Sequence, residues 1–326
     1  MANIIITIIG LIVLVMLWVM LYDSNRFVVK SHSFADAKIK KECRAVVLAD
    51  LHNKQYGKDN EILLAAIREQ HPDMILVAGD IPTAKPGKKL DVAIHLITEL
   101  AKEYPVYYAN GNHEQRMKLY PQTYGEMCRE YDEALKSAGV HRLENAHIVL
   151  EEYGIAVYGV EIDRTYYKRF GIQPMEKEYL DGILGKTCAD SYHVLLAHNP
   201  DYFPQYAKWG AELVLSGHVH GGMVRVPVWG KGVVSPNVRL FPKYDGGIFT
   251  QDKSVMWLSR GLGMHTIPIR LFNPGELLVV DFEPEDAEDS ESQSYKESGI
   301  CGNASVIQWD FKWNPLHVCK VEEGLL

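Results

Sequence analysis

Carboxylates, imidazoles and one carboxamide recur along this chain in short clusters: Asp50-Leu51-His52, Gly79-Asp80, Gly111-Asn112-His113-Glu114, the isolated His198, and Gly217-His218-Val219-His220. Such oxygen and nitrogen donors, with no thiolate among them, are the ligand types that divalent transition metals take. Singly, each has a plainer use. Asp50 or Asp80 would cap a turn or helix after a strand, and Asn112 beside Gly111 would make a turn. In an extended segment residues i and i+2 point the same way, so His218 and His220 are expected on one side while Val219 turns inward. Gly217, Gly221 and Gly222 leave room for sharp turns.

Each cluster follows an apolar run: Cys43–Ala49, Met74–Ala78, Val106–Ala109, His193–Ala197 and Leu213–Leu215. These runs read as strands. A side chain just past a strand end is held by a rigid sheet yet exposed at its rim, which is where open α/β sheets bind ligands. Helices are expected at Asn60–Glu69, Leu90–Lys102 and Tyr124–Ala138, the last stopped by Gly139. His147–Leu150 and Ile155–Val160 read as a hairpin around Tyr153-Gly154, and residues 161–190 as a mixed insertion on the substrate side. Strands alternating with helices argue for an α/β class.

Taken in order, the clusters resemble the signature of the calcineurin-like metallophosphoesterase superfamily, from about Ala45 to Phe282. Asp50-Leu51-His52-Asn53, the stretch from Ser216 to Gly222, and the segments from Ser259 to Gly263 and from Pro268 to Phe272 resemble its small, membrane-anchored bacterial branch, which includes phosphodiesterases and UDP-2,3-diacylglucosamine pyrophosphatase-type members. The resemblance implies a four-layer α/β sandwich, two mixed sheets flanked by helices. It also implies two divalent ions about 3.5–4 Å apart that neutralise a phosphate and lower the pKa of an attacking water, giving metal-bound hydroxide. By the same likeness Asp80 bridges the ions. Asp50, His52 and His220 complete one, and Asn112, His198 and His218 the other. His113 is the implied catalyst, donating a proton to the leaving oxygen. Glu114 would orient His113 or a ligand, Asn53 would hydrogen-bond a ligand or the phosphate, and Arg225 would clamp the phosphate or form a surface ion pair. Met223 and Gly275 depart from the branch pattern, away from the expected ligands. Manganese is the expected metal, with iron, zinc or cobalt as alternatives.

Residues 4–22 carry no charge, and at ~1.5 Å per residue they span about 28 Å, close to a bilayer's hydrocarbon thickness. No basic residue precedes this run and its end is bulky, so a single-pass anchor is favoured over a cleaved signal. Arg26, Lys30, Lys38, Lys40 and Lys41 follow it, which places the catalytic domain in the cytoplasm under the positive-inside rule. The expected organisation is an anchor at 1–23, a juxtamembrane linker at 24–43, a catalytic domain at 44–282, an acidic linker at 283–299, and a tail at 300–326 containing Trp309, Phe311 and Trp313, whose role no motif explains. The 326 residues, 47% of them hydrophobic, allow a domain of roughly 240 residues. The net charge of −8 argues against a nucleic-acid partner. The five cysteines lack zinc or disulfide spacing and read as mostly buried thiols. Of the remaining histidines, expected to be structural or exposed, His265 stands near the expected rim.

The expected function is thus hydrolysis of a phosphodiester or pyrophosphate bond, of a substrate that membrane tethering suggests is lipid-linked. A phosphomonoesterase or cyclic-nucleotide phosphodiesterase is the alternative enzyme. A catalytically silent metal-binding scaffold is the alternative from another class, and it would predict missing ligands.

Overall fold

Runs of Val, Ile, Leu and Ala form the strands that carry the clusters. The structure, a computed structural model, describes residues 1–168, 171–227, 230–235, 240–264 and 269–285. His265, nearly all of the acidic stretch, the 300–326 tail, Cys301 and Cys319 lie outside the described residues. The chain opens with helix α1 (Ala2–Ser24), strand β1 (Phe27–Asp36) and strand β2 (Cys43–Leu48). Then come α2 (Glu61–Glu69), β3 (Met74–Ala78), α3 (Asp91–Ala101) and β4 (Val106–Ala109). Helix α4 (Asn112–Leu119), the single turn α5 (Pro121–Tyr124) and α6 (Met127–Ser137) lead to β5 (His141–Arg142) and the hairpin of β6 (Ala146–Leu150) and β7 (Ile155–Val160). A 3-10 turn (Arg164–Tyr167) and α7 (Tyr179–Leu184) precede β8 (Tyr192–Ala197), α8 (Phe203–Trp209) and β9 (Leu213–Ser216). A small ribbon of β10 (Arg225–Val226) and β11 (Lys231–Gly232) is followed by β12 (Gly247–Gln251), β13 (Ser254–Leu258) and β14 (Gly275–Pro284).

Two six-stranded mixed sheets result, ordered β1-β14-β2-β3-β4-β5 and β12-β13-β9-β8-β7-β6. The strand pleat sorts side chains between layers, because successive residues face opposite sides. Ala45 and Val47 of β2 join Leu76, Val194, Leu196, Leu215 and Trp257 in the core between the sheets. Val46 and Leu48 face the other way, against Leu63 and Ile67 of α2 and Leu96 and Leu100 of α3. On the far side Tyr158, Leu195 and Val214 pack against Leu180 of α7 and Phe203 and Tyr206 of α8. This is the expected four-layer sandwich. Strands β2, β3 and β4 run parallel, as do β8 and β9, so their carboxyl ends open on loops at the sheet rims.

Four features differ from expectation. Residues 27–36, read as part of a linker, form a strand whose ten register pairs run along β14, from Phe27 opposite Gly275 to Asp36 opposite Pro284. Its half-exposed, mixed sequence is that of an edge strand, and its partner lies some 250 positions away. The helix expected from Tyr124 is broken at Gly125 (φ 59°), while Gly139 (φ 79°) ends it as expected. Helix α4, which begins on Asn112, was not anticipated. The described cysteines are free thiols, but only Cys43 is buried; Cys128 and Cys188 are half-exposed.

Helix α1 is long and apolar enough to cross a membrane, and its apolar side chains from Ile4 to Leu17 are exposed. At its end Asp23 is buried, pairs with Arg26 at 2.8 Å, and accepts the Asn273 backbone N–H at 3.0 Å.

Candidate metal centre

Five strand ends meet here. Asp50 and His52 follow β2, Asp80 follows β3, Asn112 follows β4, His198 follows β8, and His218 and His220 follow β9. Asp50, His52, Asn53, Asp80, His218 and His220 all have positive φ, between 51° and 76°. Side-chain-bearing residues held there cost about 1–3 kcal/mol each, and such conformations persist only where neighbours over-determine them. Here the neighbours are adjacent loops. Asp50 N–H donates to the Gly79 carbonyl at 3.0 Å, His52 N–H to Asp80 at 3.1 Å, and Asn53 N–H to Ile81 at 3.0 Å. Gly263 N–H closes the other side onto the Asp50 carbonyl at 2.6 Å. Two glycines are required by proximity: a Cβ on Gly111 would lie 2.2 Å from Asp80 Oδ1, and one on Gly217 would lie 2.4 Å from Asp50 Oδ2.

The two aspartates are held alike. Asp50 Oδ2 accepts the His218 backbone N–H at 2.7 Å, and Asp80 Oδ1 accepts the His113 backbone N–H at 2.7 Å. Each thereby presents its other oxygen to the imidazoles. Asp50 Oδ1 lies 3.4 Å from His220 Nε2, 3.7 Å from His52 Nε2 and 3.8 Å from His198 Nε2. Asp80 Oδ2 lies 3.1 Å from His198 Nε2, 3.8 Å from His52 Nε2 and 4.0 Å from His113 Nε2. Donor atoms of Asp50, His52 and His220 fall within 4.8 Å of one another, as do those of Asp80, His198 and His218. Asp50 Oδ1 and Asn112 Oδ1 are buried and accept no hydrogen bond among the described residues. Buried acceptors without partners are costly, and a cation would satisfy them.

Backbone contacts sort the imidazoles. His198 Nδ1 lies 2.7 Å from the Ala78 carbonyl and His220 Nδ1 lies 3.1 Å from the Gly263 carbonyl. A carbonyl accepts only, so each Nδ1 carries the proton and each Nε2 keeps its lone pair for a metal. His113 is reversed: the Ala84 N–H donates to its Nδ1 at 2.8 Å, so the neutral ring carries its proton on Nε2, facing Asp80. The field is strongly cation-seeking. Burial opposes charge on His198, yet Asp80 and Asp50 push it up to about 10. Burial likewise opposes ionisation of Asp80, but His198, His113 and His52 hold it well below the usual carboxylate range.

A family model described as calcineurin-like phosphoesterase matches residues 43–222, more than half of the chain. The chain belongs to the calcineurin-like phosphoesterases. An uncharacterized metallophosphoesterase of Campylobacter jejuni is 26% identical over 78% of this chain and 63% of its own length. The uncharacterized metallophosphoesterase YkuE of Bacillus subtilis is 24% identical over 76% of this chain and 79% of its own. Phosphodiesterase YaeI of Escherichia coli is 25% identical over 68% of this chain and 75% of its own. The chain thus spans under two thirds of the first relative and about four fifths of the second.

In this phosphoesterase the remaining expected residues fall as follows. Glu114 accepts the backbone N–H groups of Asp80 (3.0 Å), Ile81 (3.1 Å) and Gly111 (3.0 Å) and the Tyr108 hydroxyl, so its bonds orient the Asp80 segment. Burial and the Asp80 charge raise it to about 7. Both amide atoms of Asn53 are buried without hydrogen bonds among the described residues. Arg225 is buried, neither on the surface nor unengaged. Its guanidinium donates to the carbonyls of Gly221 (2.7 Å), Asp245 (2.9 Å) and Gly230 and sits 3.5 Å from Asp245 Oδ2, bracing the loop beyond His220. Residues 217–222 form successive tight turns, not an extended segment: Val219 N–H reaches Gly217 and Gly222 N–H reaches Val219, each at 3.0 Å. His218 and His220 part by these turns and their left-handed φ.

Two residues with a place in this site carried no sequence signal. Asn273 donates from Nδ2 to the carbonyls of His220 (2.8 Å) and Gly222 (2.6 Å). The Tyr167 ring stands 5.4 Å from that of His218 and 6.4 Å from that of His198.

Proposed function

We propose that this phosphoesterase is a membrane-anchored enzyme that hydrolyses a phosphodiester or pyrophosphate bond at a centre of two divalent ions. One observation carries it: of three overlapping donor groups, Asp50–His52–His220 and Asp80–His198–His218 stand side by side behind inward-facing Asp oxygens, and His52–Asp80–His113 links them. In this reading Asp50, His52 and His220 would hold one ion, Asn112, His198 and His218 would hold the other, and Asp80 would serve both. The all-nitrogen-and-oxygen donor set favours manganese, with iron, zinc and cobalt as competitors. Two such ions, when bound, supply positive charge to the phosphate and an acidified water nucleophile.

The chain's own groups do the rest. Asp50 and Asp80, each anchored through one oxygen by a backbone N–H, hold their other oxygens in fixed directions. His113, its ring fixed by the Ala84 N–H on Nδ1, directs its Nε2–H as a hydrogen-bond donor that stabilises charge developing on the phosphoryl or departing oxygen. Glu114 keeps the Asp80 turn in register with the start of α4. Asn53, with donor and acceptor both unspent, is suited to the phosphate oxygens or an attacking water.

The diester preference is supported by the likeness to YaeI, named a phosphodiesterase. The lipid-linked substrate is supported by the short path from the apolar helix: Asp23 accepts Asn273 N–H, and the Asn273 amide holds the His220 carbonyl. The test is hydrolysis of bis-p-nitrophenyl phosphate by the full chain in detergent, with and without added Mn²⁺, beside His113→Ala. Metal-dependent turnover that the variant loses is expected. Turnover of p-nitrophenyl phosphate alone would move the assignment to a phosphomonoesterase, and metal binding with no turnover of either ester to a scaffold.

A further inference from the structure

Helix α1 joins the domain at its catalytic end. Strand β1 starts at Phe27 opposite Gly275 and runs parallel to β14, and β14 runs antiparallel to β2. The first residues of β1 therefore stand at the carboxyl end of β2, where the Asp50 loop begins. Local bonds fix the junction there. Gly275 N–H donates to the Arg26 carbonyl at 3.1 Å, Asp23 holds the Asn273 N–H, and Lys54 Nζ, one residue past Asn53, donates to Asn25 Oδ1 at 2.8 Å. Trp18 and Tyr22, both exposed, stack with ring centres 5.5 Å apart. Rings of this kind settle at a bilayer interface. At ~1.5 Å per residue, Trp18 lies about 8 Å along the axis from Asp23. The apolar side chains from Ile4 to Leu17 are exposed, so the helix projects from the domain and does not lie along it. The surface it leaves is the rim that carries the candidate metal centre.

That rim carries two features the hydrolytic reading leaves unused. The first is Lys85, Lys88 and Lys89, exposed on the loop between β3 and α3 and, among the described residues, in no ion pair. Buried Ala84 and Leu90 clamp this loop at its ends, and its Ala84 N–H is the one that holds His113. The second is Leu240-Phe241, each 67% exposed, followed by exposed Lys243. Phe241 has φ 47°, a costly conformation for a bulky residue. Its N–H donates to the Val233 carbonyl at 2.9 Å, and Met223 N–H donates to the Val234 carbonyl at 2.7 Å. This tip is thus carried by the ribbon just beyond Gly222, whose carbonyl Asn273 holds. Water gives no reason to hold an aromatic ring outward at such a cost. A bilayer does: the ring enters the interface, and lysines beside it meet anionic head groups.

Resting on the reading of α1 as a membrane anchor, we propose that the catalytic rim is a docking surface for an anionic phospholipid bilayer. Lys85, Lys88 and Lys89 meet the head groups, and the tip from Leu240 to Lys243 enters the interface. Docked in this way, the centre meets phosphate at head-group level.

The test uses the full chain in lipid nanodiscs, one set of phosphatidylcholine alone and one containing phosphatidylglycerol. Hydrogen exchange of segments 82–89 and 240–246 is expected to be about tenfold slower in the anionic discs, on the scale of roughly fivefold for each lysine near a charged surface. High salt should abolish the difference. So should the combined Lys85→Gln, Lys88→Gln and Lys89→Gln variant, whereas the corresponding arginine variant should keep it and Phe241→Ser should reduce it. In detergent the glutamine variant should hydrolyse bis-p-nitrophenyl phosphate as the wild type does, which shows that the loop still holds His113. Lost turnover there would place the lysines on the ester and overturn the docking. Equal exchange in both discs, with the chain retained in vesicles after alkaline carbonate extraction, would overturn the docking and leave the anchor standing. Release by carbonate would overturn both.

Discussion

At the scale of single residues the decisive feature is which atom of each side chain is already engaged. Asp80 spends Oδ1 on the His113 backbone and offers Oδ2, which lies within 4.0 Å of three imidazoles. Asp80→Ala is therefore expected to remove metal from both positions, as read by elemental analysis; a variant that keeps two ions per chain would refute the bridging role. His113 differs from His198 and His220 in that its Nδ1 meets an N–H and not a carbonyl. His113→Ala should retain its metal content while turnover falls about 10²–10³-fold, the usual worth of a hydrogen-bond donor aimed at developing charge. Loss of metal in that variant would make His113 a ligand instead. None of this is visible in Gly111-Asn112-His113-Glu114 as letters, because the Ala84 N–H comes from a separate loop.

At the scale of elements, the strands before each cluster were legible because fully buried strands, paired on both sides, read as unbroken apolar runs, Met74–Ala78 being the clearest. Strand β1 was not, since an edge strand needs one partner only and keeps polar Lys30 and Ser31. Helix α4 escaped because its residues are polar and serve the site more than the core. The loop just before β14 matters more than its sequence suggested. Asn273 is fully buried and bonds two carbonyls of the 220–222 turn. Asn273→Ala leaves those carbonyls unsatisfied, at about 1–3 kcal/mol each. Lower thermal stability and weaker metal binding are expected together, by melting and by metal titration. An unchanged metal affinity would show that the turn holds without Asn273.

At the scale of the whole molecule, two distant ion pairs and one apolar helix set its behaviour. His193 Nδ1 lies 2.7 Å from Glu212 Oε2, and Lys38 joins the same carboxylate. Burial opposes charge on His193, yet Glu212 and the Cys188 carbonyl raise its pKa above 6.5. Burial also opposes ionisation of Glu212, but His193 and Lys38 lower its pKa below 4.5. The histidine's contribution is thus complete below pH 6.5 and lost as pH rises through its folded value. The glutamate's is present above pH 4.5 and lost as pH falls through its own folded value. The melting-temperature gap between wild type and His193→Gln should accordingly be widest near pH 5–6 and narrow toward pH 9; a gap constant over that range would refute the charged pair. For the helix Ala2–Ser24, the proposed cytoplasmic orientation predicts that protease added to intact cells spares the catalytic domain. Digestion would reverse the orientation.

By itself the sequence determined the fold class, the five strand ends and the donor types they carry. Each of those is local: a run of apolar residues, then a turn with a coordinating side chain. Tertiary structure alone decided which oxygen of each aspartate faces inward and which ring nitrogen of His113, His198 and His220 holds the proton. Those outcomes depend on contacts between segments tens to hundreds of residues apart, such as Asp50 with His218 and Asp23 with Asn273. A linear pattern records what a side chain can do, whereas burial and neighbouring backbone groups determine which of its atoms remain available to do it.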